Sequence, residues 1–453
     1  MLICISIFIC GRARDTQKKE RGMNKQTVTL QTNNFKTEVL AGITTFISSA
    51  YIIMTNALIL SDAGISPDAA MIATIFTCAV STFLMGFVAN SPFIIVPGMG
   101  INSLFTYTIV NSMGLSWQSA LGAVFVSGII FTIIASTKIT PILMKSIPNN
   151  LKHAITVGVG FLILFIGLQK SGLVVSNENT LVGLGNLANK EVILTLITLL
   201  IILVLDLRKV NGGILISILM GTLLSMAMKI TSISDLDFTA FNIGDFKNVF
   251  LSLSFENMFT VPFFMAVLSI TVVIVFENMG ILYGMLGALD KENDFQRNFT
   301  LAGVSNMIAG LFGTSPTIVA AENFSGISAG GKGRIAALTS GILFLMSLFL
   351  IPVLKLIPNS VISAVLIFIG ILMIQTFFDL EKGDMIDTIS IAIIITVIPL
   401  TYNIVNGIAA GFIVYTILKI ASNQGKKVSP AMYVLTFLFM LNFILSTSMG
   451  LSH

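Results

Sequence analysis

The chain has 453 residues, is 55% hydrophobic and has a mean hydropathy of +0.96. Asp, Glu, Lys and Arg make up only 10% of it, against about 25% in an ordinary soluble domain, which excludes both a soluble globular protein and a disordered one. The net charge of +4 points to no nucleic-acid partner, and two histidines and three cysteines (Cys4, Cys10, Cys78) supply neither metal-ligand spacing nor a disulfide framework, so no metal or cofactor is expected.

The first ten residues are apolar but short, and Arg12, Arg14, Lys18, Lys19 and Arg21 follow them, whereas a signal peptide carries its basic residues first. Met23 offers an alternative start, so residues 1–22 read as extraneous to the fold, within a cytoplasmic segment 1–35. Beyond it, apolar stretches close to the ~20 residues of a spanning helix recur at 38–60, 69–89, 93–110, 118–137, 151–168, 191–206, 213–229, 260–283, 299–313, 317–330, 335–353, 360–377, 385–400 and 404–421. A membrane β-barrel would instead alternate apolar and polar residues. The expected class is an all-α polytopic membrane protein with fourteen transmembrane segments. A fifteenth apolar segment, 430–448, is either a further span or an interfacial helix.

Basic residues orient the spans, because Lys and Arg concentrate in cytoplasmic loops. Seven precede the first span, and the ends of even-numbered spans hold Lys138, Lys145 and Lys152; Arg208 and Lys209; Lys291 and Arg297; Lys332 and Arg334; Lys382; and Lys419, Lys426 and Lys427. The longest loop on the other side, 230–259, is acidic. The N-terminus is therefore expected in the cytoplasm.

Two spans are interrupted. The third contains Pro97, Gly98 and Gly100, and the tenth opens Gly-Thr-Ser-Pro at 313–316 and carries several further glycines. Unwound backbone at membrane depth is tolerated only inside protein or along a cavity, and interrupted segments at matching places in two halves point to a transporter binding site. A repeat supports the matching. Lys145-Ser-Ile-Pro-Asn149 opens span five and Lys355-Leu-Ile-Pro-Asn359 span twelve; Val210-Asn-Gly212 opens span seven and Val405-Asn-Gly407 span fourteen. Each pair is seven spans apart, and seven is odd, so the second half is inverted: a 7+7 inverted repeat.

Two acids stand alone in apolar sequence. Glu277 is the only charged residue between Glu256 and Asp290, and Glu322 the only one between Arg297 and Lys332. A carboxylate in hydrocarbon costs a few kcal/mol, and such residues face a bundle interior or a cavity where they mark substrate or proton sites. If a half-helix begins near Glu322, its free amides face the same cavity. Asn102 follows the first break and either reads a ligand edge or caps the helix; Asn323 has the same options. Phe105, Tyr107, Phe276 and Phe324 could stack on a planar ligand, although packing is the commoner use among 34 phenylalanines. Gly326–Lys332 mimics a phosphate loop, but Gly333 follows where Ser or Thr is required.

The runs GITTFISSAYIIMTN (42–56), VPGMGINSLF (96–105), FENMG (276–280) and GTSPTIVAAENFSGISAGG (313–331) resemble the AzgA-like purine permeases of the nucleobase/ascorbate transporter superfamily. The resemblance covers about residues 35–425. It implies a core domain (36–137 and 260–354, spans 1–4 and 8–11), a gate domain (138–231 and 355–425, spans 5–7 and 12–14), an extracellular loop 232–259, an apolar C-terminal segment 426–453, and short strands in spans three and ten. It also implies that Glu277 and Glu322 hydrogen-bond the base, with Gly100, Asn102, Phe276, Ala321 and Asn323 around it. Purine permeases of this type have Asp-Thr where this chain has Glu277-Asn278, and Glu-Ser where it has Glu322-Asn323.

The expected activity is secondary active import of a purine nucleobase by proton symport, with alternating access and with protons carried by Glu277 or Glu322. The protein is then no enzyme: it sits in the cell membrane among lipid, with base and proton as partners and a homodimer, as occurs in that superfamily, as one assembly. The alternatives are a uracil or xanthine permease of the same superfamily and an anion exchanger on the same fold, against which two acids in the pocket argue.

Overall fold

The computed structural model describes residues 35–137, 148–177, 180–210, 212–232, 243–381 and 383–448. The N-terminal segment, Lys138, Lys145, Asn211 and Lys382 lie outside them. The helices in chain order are α1 (Phe35–Ser61), α2 (Pro67–Ala89), α3 (Met99–Ser103, continuing in wide π turns over Leu104–Ser112), α4 (Trp117–Ser136), α5 (Asn149–Lys170), α6 (Lys190–Leu207), α7 (Gly213–Ala227), α8 (Val261–Ala288), α9 (Phe295–Phe312), α10 (Asn323–Ser328), α11 (Arg334–Leu354), α12 (Asn359–Asp379), α13 (Met385–Thr401), α14 (Ile404–Ala421) and α15 (Pro430–Ser448). The first fourteen fall at the fourteen expected segments. Eight are long and apolar enough to cross a bilayer; α3 and α10 are the interrupted pair.

The interruptions hold strands β1 (Ile95–Pro97) and, later in the chain, β4 (Thr317–Val319), paired antiparallel with Val96 opposite Ile318. An exposed hairpin, β2 (Val174–Asn177) with β3 (Leu181–Leu184), connects α5 to α6. Nothing in the loop composition announced it.

Packing follows the inverted repeat. When each helix is advanced by seven, α4–α9 becomes α11–α2, α1–α11 becomes α8–α4, α6–α7 becomes α13–α14, and α6–α12 becomes α13–α5; all eight pairs are in contact. Helices α5 and α12 pack on each other, as do α2 and α9, as elements on a pseudo-two-fold axis must. Both α5 and α12 start after an extended proline, Pro148 and Pro358, which is the structural content of the repeated Lys-x-Ile-Pro-Asn. Glycine permits the close approach: a Cβ at Gly160 would lie 3.0 Å from the Gly370 carbonyl oxygen, and one at Gly370 2.7 Å from that of Gly160.

The contacts sort the helices into two groups. Helices α1–α4 and α8–α11 surround the crossed strands, α5–α7 and α12–α14 form a second layer, and only sparse contacts join them, chiefly from α3 to α5 and α14 and from α1 to α7 and α12. Helix α15 lies along α14, with Phe439 edge-on to Phe412 and the Thr416 and Thr436 hydroxyls 2.8 Å apart.

Candidate functional site

Three-residue strands cannot hold themselves, and three buried asparagines hold these. The Asn323 amide donates to the Ile94 and Ala320 carbonyls (3.0 and 2.8 Å) and accepts from the Ile94 amide (2.8 Å). Asn306 treats Thr317 the same way, accepting from its N–H and donating to its carbonyl, each at 2.9 Å. Asn278 accepts from the Val319 amide at 2.9 Å and donates to the Ile274 carbonyl at 2.8 Å. Buried backbone groups left unpaired cost about 1–3 kcal/mol each, so these amides are what makes the breaks tolerable. Asn278 and Asn306 were not singled out from sequence, yet each sits on an apolar helix where a polar amide needs a reason.

One residue before Asn278, Glu277 faces a cavity of about 100 Å³ between the two helix groups. Gly100 and Phe276 share that wall, and Lys152, Thr156 and Val159 of α5 face them. Three of the seven expected residues thus meet there. Gly100 lets the two groups approach closely: a Cβ there would stand 3.1 Å from Val159 Cγ1, a tight contact. The Lys152 ammonium lies 5.3 Å from the centre of the Phe276 ring, within cation–π range, so the ring face expected for stacking carries a charge from the opposite group. Among the described residues no side chain hydrogen-bonds the Glu277 carboxyl group. A larger groove of about 330 Å³ between Phe259, Phe264 and Leu441 has no ionisable lining.

Glu322 lies apart from that lining, at the start of α10, and accepts a hydrogen bond from the Tyr51 hydroxyl at 2.6 Å. Ala321 beside it and Phe324 one turn on are exposed, and Phe324 reaches the Gly284 face of α8. The free helix-start amides expected near Glu322 are absent. Helix α10 has six residues, and the amides of Asn323, Phe324 and Ser325 bond the carbonyls of Ala320, Ala321 and Glu322. Asn102 is fully buried, with neither amide atom paired to any of the described residues. Phe105 is buried in the core, and Tyr107 points elsewhere, to Asp62.

Among the described residues, the polar side-chain contacts between the two helix groups gather at one end, together with contacts inside each group that support them. Asp62, after α1, accepts from Lys170 Nζ (2.7 Å) and from the Tyr107 hydroxyl (2.6 Å). Asn403 donates to Ser112 Oγ (3.0 Å), and the Ile404 amide to Thr108 Oγ1 (3.1 Å). Tyr402 caps the cluster, bonding Gln169 and packing edge-on to Tyr107. Lys355 pairs with Asp68 at 2.7 Å. At the opposite end Glu38, Lys291, Asn150 and Lys419 bond within their own group.

Two inverted seven-helix repeats, two interrupted spans joined by paired strands and a small cavity carrying Glu277 and Lys152 between two helix groups define a multi-pass membrane transporter. The family model described as the Permease family (Xan_ur_permease) matches residues 36–440. The nucleobase transporter PlAzg2 of Paenibacillus larvae is 37% identical over 90% of this chain and 83% of its own length. The guanine/hypoxanthine permease PbuO of Bacillus subtilis is 33% identical over 92% and 98%, and the adenine permease AdeP of Escherichia coli 29% identical over 95% and 98%. Among solved structures, the transmembrane domain of the cyanobacterial bicarbonate transporter BicA superposes with a TM-score of 0.63 at 15% identity, covering 84% of this chain and 98% of its own, and the murine anion transporter Slc26a9, in its inward-facing state, with 0.64 at 13%, covering 90% and 75%; these establish the fold alone. The chain belongs to this permease family and is a transporter rather than an enzyme; the resemblance to AzgA-like purine permeases read from its motifs is borne out.

Proposed function

We propose that the protein imports a purine nucleobase together with a proton across the cell membrane, with its N-terminus in the cytoplasm. The observation that carries the reading is Glu277: an acid that no described side chain hydrogen-bonds, on the wall of a cavity sized for a small planar molecule, at the seam between two helix groups. A neutral base presents ring N–H groups that a carboxylate accepts. Phe276 lines the same wall, one face of its ring under the Lys152 ammonium, and Asn102, two residues after Gly100, keeps a donor and an acceptor that no described residue uses. Asn323 acts at one remove, by fixing strand β1 beside the cavity. The names of PlAzg2, PbuO and AdeP support a base as cargo and favour purines.

The group of α1–α4 and α8–α11 serves as core, and the group of α5–α7 and α12–α14 as gate. Among the described residues, contacts clustered at one end with few at the other support a transporter closed on the Asp62 side and open on the Lys152 side. By the distribution of basic residues these are the extracellular and cytoplasmic sides. Protonation of Glu277 removes its charge from the cavity, and protonation of Glu322 removes one at the start of α10, so that the core can move with base and proton together. An anion exchanger on this fold requires a positive cavity; Lys152 alone would provide one, and Glu277 cancels it.

The test is uptake of labelled hypoxanthine, competed by a panel of bases, with and without an uncoupler. Purines compete and the uncoupler abolishes accumulation; full uptake by both Glu277→Gln and Glu322→Gln would refute the assignment.

A further inference from the structure

The run 42–56 resembles the family closely, yet the cavity uses none of it. Its role is legible in how α1 meets the second interrupted span. Five α1 residues spaced by three or four positions, and so lying on one face, run antiparallel to residues 322–336. Glu38 accepts hydrogen bonds from the amides of Lys332 (2.9 Å), Gly333 and Ala336 (both 3.2 Å). A Cβ at Gly331 would lie 2.9 Å from Ala41 Cβ, and one at Gly326 only 1.9 Å from Thr45 Oγ1. Ser48 Oγ lies 3.1 Å from Ser325 Oγ. At the end of the stripe, the Tyr51 hydroxyl donates to Glu322 Oε1 at 2.6 Å. The stripe fixes the half-helix along its length, and only Tyr51 touches its acid.

We propose that Tyr51 is a positioning and specificity-determining residue for transport: its hydroxyl orients Glu322 and keeps that carboxylate an acceptor, so the oxygen left free selects a ligand edge that presents an N–H donor. This rests on the assignment of Glu322 to the base site. The logic is that of donor counting. Tyr51 is buried, and its hydroxyl donates to one Glu322 oxygen, which favours the carboxylate as an acceptor. Without it, Glu322 is free to rotate within the loop before α10 or to hold a proton and donate, and a site that can donate no longer discriminates against ligands lacking the N–H.

A two-by-two cycle of Tyr51→Phe and Glu322→Gln tests this, read as the Kd of labelled hypoxanthine for purified protein and as the KM of uptake in intact cells, which does not depend on how much protein reaches the membrane. Tyr51→Phe keeps the ring and removes one oxygen. It is expected to weaken Kd and raise KM about tenfold, the scale of one hydrogen bond to a charged acceptor, and to add nothing in the Glu322→Gln background. Ser48→Ala loosens the same stripe without touching Glu322 and is expected to leave Kd unchanged. Three results would overturn the inference: an unchanged Kd in Tyr51→Phe beside a weakened Glu322→Gln, equal losses from Tyr51→Phe in both backgrounds, or a Ser48→Ala loss as large as that of Tyr51→Phe. Wild-type binding by Glu322→Gln would instead remove the site assignment on which the inference rests.

Discussion

Replacing Asp62 by Asn is expected to open the transporter at its closed end. Asp62 takes hydrogen bonds from Lys170 and from Tyr107 on a part-exposed surface, with side chains of Lys170 and Asp62 22% and 30% accessible. Tyr107 belongs to the same helix group as Asp62 and only orients its carboxylate, so the Lys170 pair alone bridges the groups. An exposed ion pair contributes about 0.2–1 kcal/mol, which corresponds to a shift of about 1.5- to 5-fold in the open-to-closed ratio. A cysteine in place of Val159, on the cavity wall, reports that ratio in a protein whose native cysteines are removed: an impermeant maleimide added outside cells labels it only through the Asp62 end. Asp62→Asn and Lys170→Met should each speed labelling by about 1.5- to 5-fold, and the exchange of Asp62→Lys with Lys170→Asp should slow it again. Labelling at the wild-type rate in Asp62→Asn would refute the latch, and with it the inference of which end is closed.

Other predictions concern the scaffold. Gly326→Ala should destabilise the detergent-solubilised protein by about 1–3 kcal/mol, seen as a lower melting temperature, because its Cβ meets Thr45, whereas Gly280→Ala, with nothing within 4 Å, should melt as wild type. Asn323→Ala strands the Ile94 amide and carbonyl and should cost more stability than Asn102→Ala, whose amide bonds none of the described residues; comparison of the two melting temperatures checks it. Outside the membrane, the hydrogen bond from Lys419 holds the Asp384 carboxyl below its ordinary range. A lowered folded-state value means that the contribution is present above the unfolded-state value and is lost as pH falls through the folded one. Wild type should therefore lose melting temperature in acid more steeply than Asp384→Asn; parallel curves would contradict this.

What could be read in advance was what leaves a local mark. Apolar stretches located the helices because a bilayer admits little else. Pro97, Gly98 and Gly100, and Gly313 with Pro316, marked the two breaks, and the repeated Ile-Pro-Asn marked equivalent helix starts at Asn149 and Asn359. The partner of each break was inferred only through the repeat, since three-residue strands are too short to show alternation. Tyr51 left no mark, because its significance lies in an acid 271 positions away. Asn323 shows a different limit. A buried amide that reads a ligand and one that clamps a strand have the same chemistry, and only the positions of Ile94 and Ala320 tell them apart.

The two Glu-Asn pairs depart from the Asp-Thr and Glu-Ser of the purine permeases that the chain resembles, and the structure gives the departure a reason. In each pair the acid and the asparagine are adjacent and point in different directions, so one faces the cavity or its approach while the other turns into the core. Asn278 holds Val319 of β4; Asn323 holds Ile94, just before β1. Each asparagine thereby ties its acid to a strand beside the site, and Asn323 does so across the two halves of the repeat. Threonine or serine offers one hydroxyl and cannot both accept from an amide and donate to two carbonyls, as Asn323 does. Glu277 and Glu322 are thus mounted on the same framework whose movement, in the proposed mechanism, carries the base.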